Sequence, residues 1–258
     1  VEKTSAMKYY VFLIALTVSF YSCSSGIYAP GNKRIYTPHE EKQLLSSGST
    51  YISPSFVAAE FDVSYSPLKN LGVQTFFDLS NCYRSAGLAI GLYKANYSWF
   101  EDNLKKGLHF DGYLGYSLHR AQRNPAGQGS FLFDEFGYNT SCQDISLNLG
   151  MHFAYKYFGA DIYFKPHLID LYKVRLSGDF NSEVLKAYNQ LGSSPFLVYD
   201  MGIQLALVDH DMRAFGGLNF AVNQRKILNY EFIDPFSISG GININIGNFF
   251  SGRSINTE

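Results

Sequence analysis

Ile145-Ser146-Leu147-Asn148-Leu149-Gly150-Met151-His152-Phe153-Ala154-Tyr155 alternates without a break. Ile145, Leu147, Leu149, Met151, Phe153 and Tyr155 fall on one face of an extended chain. Ser146, Asn148, Gly150, His152 and Ala154 fall on the other. Period two sustained over this length is the pattern of a strand with two unlike faces. The strand exceeds the ~5–6 residues usual in a soluble sheet and matches the ~9–11 of a tilted strand that crosses a bilayer.

The pattern repeats in both directions. Leu108, Phe110, Leu114, Tyr116 and Leu118 oppose His109, Asp111, Tyr113, Gly115 and Ser117. Leu197, Tyr199, Met201, Ile203, Leu205 and Leu207 oppose Asp200, Gly202 and Gln204. Phe236, Ile238, Ile242, Ile244 and Ile246 oppose Ser237, Ser239, Gly241, Asn243 and Asn245. Strands are expected over 49–56, 58–66, 71–81, 86–96, 106–119, 143–156, 158–172, 196–208, 213–223 and 236–248. That makes about ten, within a range of about 8 to 12.

The connections alternate in length. Ser66 to Asn70, the turn at Tyr157 and Asp209 to Met212 are short. Arg120 to Ser141, Lys173 to Pro195 and Gln224 to Asp234 are long, and Ser182 to Leu191 reads as an amphipathic helix. Short turns on one rim and long loops on the other describe an outer-membrane barrel. Tyr97 to Lys105 is a longer connection on the short-turn side. The expected fold is all-β: a transmembrane, antiparallel, up-and-down β-barrel over residues 48–250, with a polar tail at 251–258. A soluble sandwich would bury the apolar face, and its strands would be shorter.

Composition agrees. Charged residues make up 17%, below the ~25% of an ordinary soluble domain. Aromatics also make up 17%, with 22 Phe, 20 Tyr and one Trp, which excludes a disordered chain. A formal charge of −1 gives no basic footprint for nucleic acid. The mean hydropathy of −0.09 does not suit a bundle of membrane helices.

Met7-Lys8 followed by the apolar run Tyr9 to Tyr21 reads as a secretory signal over residues 1–22, with Val1 to Ala6 ahead of an initiator Met7. Phe20-Tyr21-Ser22-Cys23 resembles a lipobox, which makes Cys23 the expected lipidation site; ordinary cleavage near Ser22 is the alternative. Residues 23–47, with Pro30 and Pro38, read as a periplasmic leader.

Glu60-Phe61-Asp62-Val63-Ser64-Tyr65-Ser66-Pro67-Leu68-Lys69-Asn70-Leu71-Gly72-Val73 and the closing Asp234-Pro235-Phe236, together with Cys23 and Ile27-Tyr28-Ala29-Pro30, carry a resemblance. The chain resembles a family of small Bacteroidetes outer-membrane β-barrel proteins. The resemblance implies a bacterial outer-membrane location. Members of that family are generally of unknown function, so no catalytic residue carries over.

The expected lumen face is polar: Glu60, Asp62, Gln74, Asp78, His109, Asp111, Asn148, His152, Asp161, Lys165, His167, Asp200, Gln204, Asn219, Asn243 and Asn245. Such groups must satisfy one another or bind trapped water. A barrel of this size is too narrow for a wide aqueous pore. Three roles stay open: a plugged structural or binding barrel, a narrow transport pore, and a membrane-embedded lipid- or peptide-modifying enzyme. Asp209-His210-Asp211 falls in a short turn on the periplasmic side, where it needs no catalytic explanation. No HxH or HExxH spacing marks a metal site, and no cofactor is expected. Cys82 and Cys142, at the outer ends of strands three and six, either bridge or stay as two thiols. Expected partners are outer-membrane lipid and the barrel-insertion machinery. The residues identify no protein partner.

Overall fold

A computed structural model describes residues 38, 40–53, 57–80, 83–99, 105–123, 137–177, 182–209, 212–223 and 236–247. The signal segment, Cys23, Cys82, Phe131 to Phe133, His210, Phe249 and the 251–258 tail lie outside them.

Ten strands follow in chain order: β1 (Leu44–Ile52), β2 (Val57–Leu68), β3 (Leu71–Leu79), β4 (Tyr83–Trp99), β5 (Lys105–Arg123), β6 (Gly137–Tyr155), β7 (Phe158–Ser177), β8 (Phe196–Asp209), β9 (Met212–Asn223) and β10 (Phe236–Asn245). A helix, α1 (Ser182–Leu191), stands in the β7–β8 connection. Each strand pairs antiparallel with the next, and β10 pairs with β1, so the sheet is a closed barrel.

The register shows how it closes. Stepping across partners from Gly48 to Ile242, Ala214, Leu207, Phe158, Tyr155, Lys106 and Ser98, and on through β3 and β2, returns to β1 about 12 residues below the start. A stagger of that size tilts the strands by about 40° from the barrel axis. The seam is tight at Gly241, where a Cβ would come within 2.6 Å of Ser49 Cβ.

Alternation sets the two faces. Leu114, Ile145, Ile162, Ile203, Leu205, Leu218 and Ile238 point outward and are exposed. Their chain neighbours point inward and nearly all are buried, and most of those are polar. The turns on one rim are two residues long at Lys69–Asn70 and Lys156–Tyr157. Asn70 takes a left-handed backbone (φ 65°), which its short polar side chain tolerates better than most.

Several expected boundaries move. β1 begins at Leu44 rather than 49, so the barrel starts before residue 48. Its outward positions Leu44, Ser46, Gly48 and Thr50 are mostly polar, and pairing to both β2 and β10 holds it instead of an apolar face. β5 runs on to Arg123 and β6 starts at Gly137, taking in both ends of the expected 120–141 loop. Beyond the hydrocarbon a strand needs no apolar face, so hydropathy alternation stops there while pairing continues. For the same reason β4 reaches Trp99 and β7 reaches Ser177. The last strand ends at Asn245, short of Ile246.

Two substitutions check this layout by urea-induced unfolding from lipid vesicles. Ile203→Arg, in the middle of the outward face, is expected to cost about 2–4 kcal/mol. Gly241→Ala, at the seam, is expected to cost about 1–3 kcal/mol through overpacking.

Candidate functional site

Every lumen residue expected from β2 through β9 faces inward and is buried: Glu60, Asp62, Gln74, Asp78, His109, Asp111, Asn148, His152, Asp161, Lys165, His167, Asp200, Gln204 and Asn219. Asn243 of β10 is buried with them, and Asn245 is half-buried. The structure adds His119, Asp144 and Arg213 to the same face. Among the described residues the interior therefore holds seven carboxyl groups, one lysine, one arginine and four imidazoles. These groups assemble into connected sets.

The first set runs along the wall from β4 to β8. The Tyr83 hydroxyl pairs with His119 Nδ1. His119 Nε2 lies 3.4 Å from Asp144 Oδ2. The same Asp144 oxygen lies 2.7 Å from His167 Nδ1, and His167 Nε2 lies 3.3 Å from Asp200 Oδ2. Each step moves one strand over and two residues toward the short-turn rim, which offsets the slope of the hydrogen-bond rows. The chain thus stays near one level of the tilted barrel. His167 has a carboxylate at each ring nitrogen, and only the doubly protonated ring has a donor for both.

Ser117 joins this set. Its Oγ lies 2.7 Å from His119 Nε2 and donates to Asp144 Oδ2 at 3.3 Å. A serine, a histidine and an aspartate therefore meet, but not as a catalytic triad. In a triad the acid and the serine occupy opposite ring nitrogens. Here both crowd Nε2, while Nδ1 belongs to Tyr83. Ser117 is also buried.

The second set closes the short-turn end. Asp161 takes His152 Nδ1 on one carboxylate oxygen and the Arg213 guanidinium on the other. Small Ala206 on the intervening β8 is buried on the same face. Nearby, His109 Nε2 lies 3.3 Å from Asp111 Oδ2. The Tyr93 ring stacks on His109 at 5.7 Å between centroids and 8° between planes, and the Tyr93 hydroxyl meets Ser66 Oγ at 2.7 Å. On β7 to β10, the Tyr163 hydroxyl donates to Asn219 Oδ1 at 2.6 Å, and Asn219 Nδ2 donates to Ser237 and Ser239.

The third set holds Glu60, Asp62 and Asp78 on β2 and β3, with Glu60 and Asp78 directly paired. Ser85 donates to Asp78. Lys165 on β7 reaches the other side of the lumen: its Nζ lies 5.5 Å from the centroid of the Phe76 ring on β3. A cation held over an aromatic face is favoured where water is excluded.

Cys142 faces inward from β6, across from His119 and Leu171. No group of three or more His, Cys, Asp or Glu able to hold a metal ion occurs among the described residues.

Parity alone would have supplied the added residues. His119 continues the Asp111-Tyr113-Ser117 face, Asp144 the Ser146-Asn148 face, and Arg213 the face of Asn219. Each lies one step past the end of the apolar alternation, or, for Arg213, where the strand opens. The inward Tyr51, Tyr83 and Tyr163 left no such signal, because tyrosine also suits the lipid-facing side.

Arg213→Ala would leave Asp161 buried with one partner fewer. The expected loss is about 3–5 kcal/mol, read by urea unfolding in vesicles. Replacing exposed Lys94 by alanine should change stability by under about 0.5 kcal/mol.

No protein-family model matches the chain, and no curated protein matches it in sequence. Solved membrane barrels are similar in architecture. The NanC porin is 8% identical, with a TM-score of 0.39, over 78% of this chain and 98% of its own. Outer membrane protein Omp33 of Acinetobacter baumannii is 8% identical, with a TM-score of 0.33, over 81% and 100%. The translocator domain of the autotransporter NalP from Neisseria meningitidis is 11% identical, with a TM-score of 0.31, over 79% and 87%. At these values no ligand or role passes from them to this chain. The chain's own features place it: a closed strand barrel, apolar outside and polar inside, with short turns on one rim, is an outer-membrane β-barrel.

Proposed function

We propose that this protein is a closed outer-membrane barrel with a structural or binding role, its lumen filled by its own ion pairs. One observation carries the reading. Glu60, Asp78, His109, Asp161 and His167 project into the lumen, yet each is 0% exposed to solvent. Side chains lining a continuous aqueous passage would be wetted. The Lys165–Phe76 contact between opposite walls supports the same reading.

The N-terminal sequence supports export and tethering. Residues 1–22 would direct secretion, Cys23 would carry the lipid, and the barrel-insertion machinery would assemble the strands. The Glu60 to Val73 block and the Asp234-Pro235-Phe236 closing strand support a Bacteroidetes origin.

Planar-bilayer recording tests the closed lumen. The wild-type barrel is expected to leave conductance at background. Lys165→Ala combined with Phe76→Ala, which removes the contact between the walls, is expected to raise it. Discrete wild-type conductance steps that change with Lys165 or Asp200 would instead establish the narrow-pore reading.

A further inference from the structure

On the outer wall an arginine directly faces an arginine. Arg84 of β4 and Arg120 of β5 are register partners, and both side chains are exposed on the outward face. The same row continues from Arg120 to Ser141 of β6 and from Ser141 to Lys173 of β7. Arg175, partnered with Asn139, follows on that face, and it too is exposed. The group sits toward the rim that carries the long loops, where the outward apolar positions of β4 to β6 end at Ala86, Leu118 and Ile145.

Like charges directly opposite one another on a sheet face destabilise it. The surroundings supply little compensation. Among the described residues, Asp170 is the one carboxylate on the outward face of β4 to β7, and it accepts a hydrogen bond from Gln143 Nε2 at 2.9 Å. Arg120 donates to the neutral Gln122 at 3.3 Å.

We propose that Arg84, Arg120, Lys173 and Arg175 bind the phosphorylated headgroup of an outer-leaflet lipid. The planar guanidinium fork matches phosphate oxygens. Clustered cations at the hydrocarbon boundary attract anionic headgroups. Leu88, Tyr116, Leu118 and Ile145, exposed next to the cluster, would lie against the acyl chains. Free phosphate offers the same anionic oxygens without the chains. The site depends on the outer-membrane placement and is independent of whether the lumen is closed.

The test uses the full-length barrel in detergent and native mass spectrometry. Three probes are added in turn: bisphosphorylated lipid A, the same lipid with its phosphates removed, and inorganic phosphate. Wild type is expected to retain bisphosphorylated lipid A and neither of the other two. Arg84→Gln with Arg120→Gln is expected to weaken retention by roughly tenfold or more, and Lys173→Gln by a smaller factor. Lys94→Gln, an outward cation toward the opposite rim, is expected to leave it unchanged. Heat-modifiable migration checks that each variant is folded, and the Lys173 variant carries the test if the double variant is not. Equal retention by wild type and the Arg84 or Lys173 variants would overturn the proposal, as would equal retention of dephosphorylated lipid. Tight binding of inorganic phosphate alone would make this a simple anion site and overturn it equally.

Discussion

Hydrocarbon contains no water to receive a backbone N–H or C=O, so a sheet that crosses it has to close on itself. In this chain that requirement falls on one seam, β1 against β10. The seam joins the two ends of the described barrel, and one of its strands, β1, has the least apolar outward face of the ten. Leu44 to Thr50 presents almost no greasy surface; it is held because its backbone pairs on both sides, with β2 and with β10. Gly241 lets the two edges approach.

Closure then creates a second problem inside. Ten strands enclose an interior about as wide as side chains can fill. This chain fills it with ionisable groups set among buried aromatics such as Tyr51, Phe76, Tyr113 and Tyr163. Seven carboxyl groups against one lysine and one arginine would be costly to bury as ions, and four imidazoles sit among them. The arrangement shares partners economically: Asp144 serves His119 and His167, His167 serves Asp144 and Asp200, and Asp161 serves His152 and Arg213. Because each link crosses from one strand to another, the network also fixes register, which the outward apolar face alone would leave free to slip in steps of two.

The sequence displayed the parts of this structure that follow from parity. Within the hydrocarbon, Ile145 to Tyr155 and Leu197 to Leu207 alternate so regularly that strand, face and lumen side can be read directly. The ten strands and the inward set from Glu60 to Gln204 come from that pattern. What the pattern does not encode is pairing outside the bilayer, where Arg120, Gln122, Asn139 and Ser141 continue β5 and β6 with polar side chains. Nor does it tell which inward groups meet. Lys165 and Phe76 lie far apart in sequence and on strands that are not neighbours. Their contact depends on barrel radius and stagger, which emerge only when all ten registers are combined. The paired Arg84 and Arg120 were hidden for the same reason: each looks like an ordinary strand-end cation until β4 and β5 are aligned.

The closed lumen is the central claim, and thiol accessibility addresses it directly. A variant with Cys23, Cys82 and Cys142 replaced by serine carries one new thiol at mid-wall, Ser146→Cys, and is folded into lipid vesicles. A second carries Ser193→Cys in the exposed segment after α1. A small charged methanethiosulfonate reagent is added, and the labelling rate of each is measured. The account predicts fast labelling at residue 193 and, at residue 146, none until the barrel is unfolded. Comparable rates at the two positions in the folded barrel would contradict it.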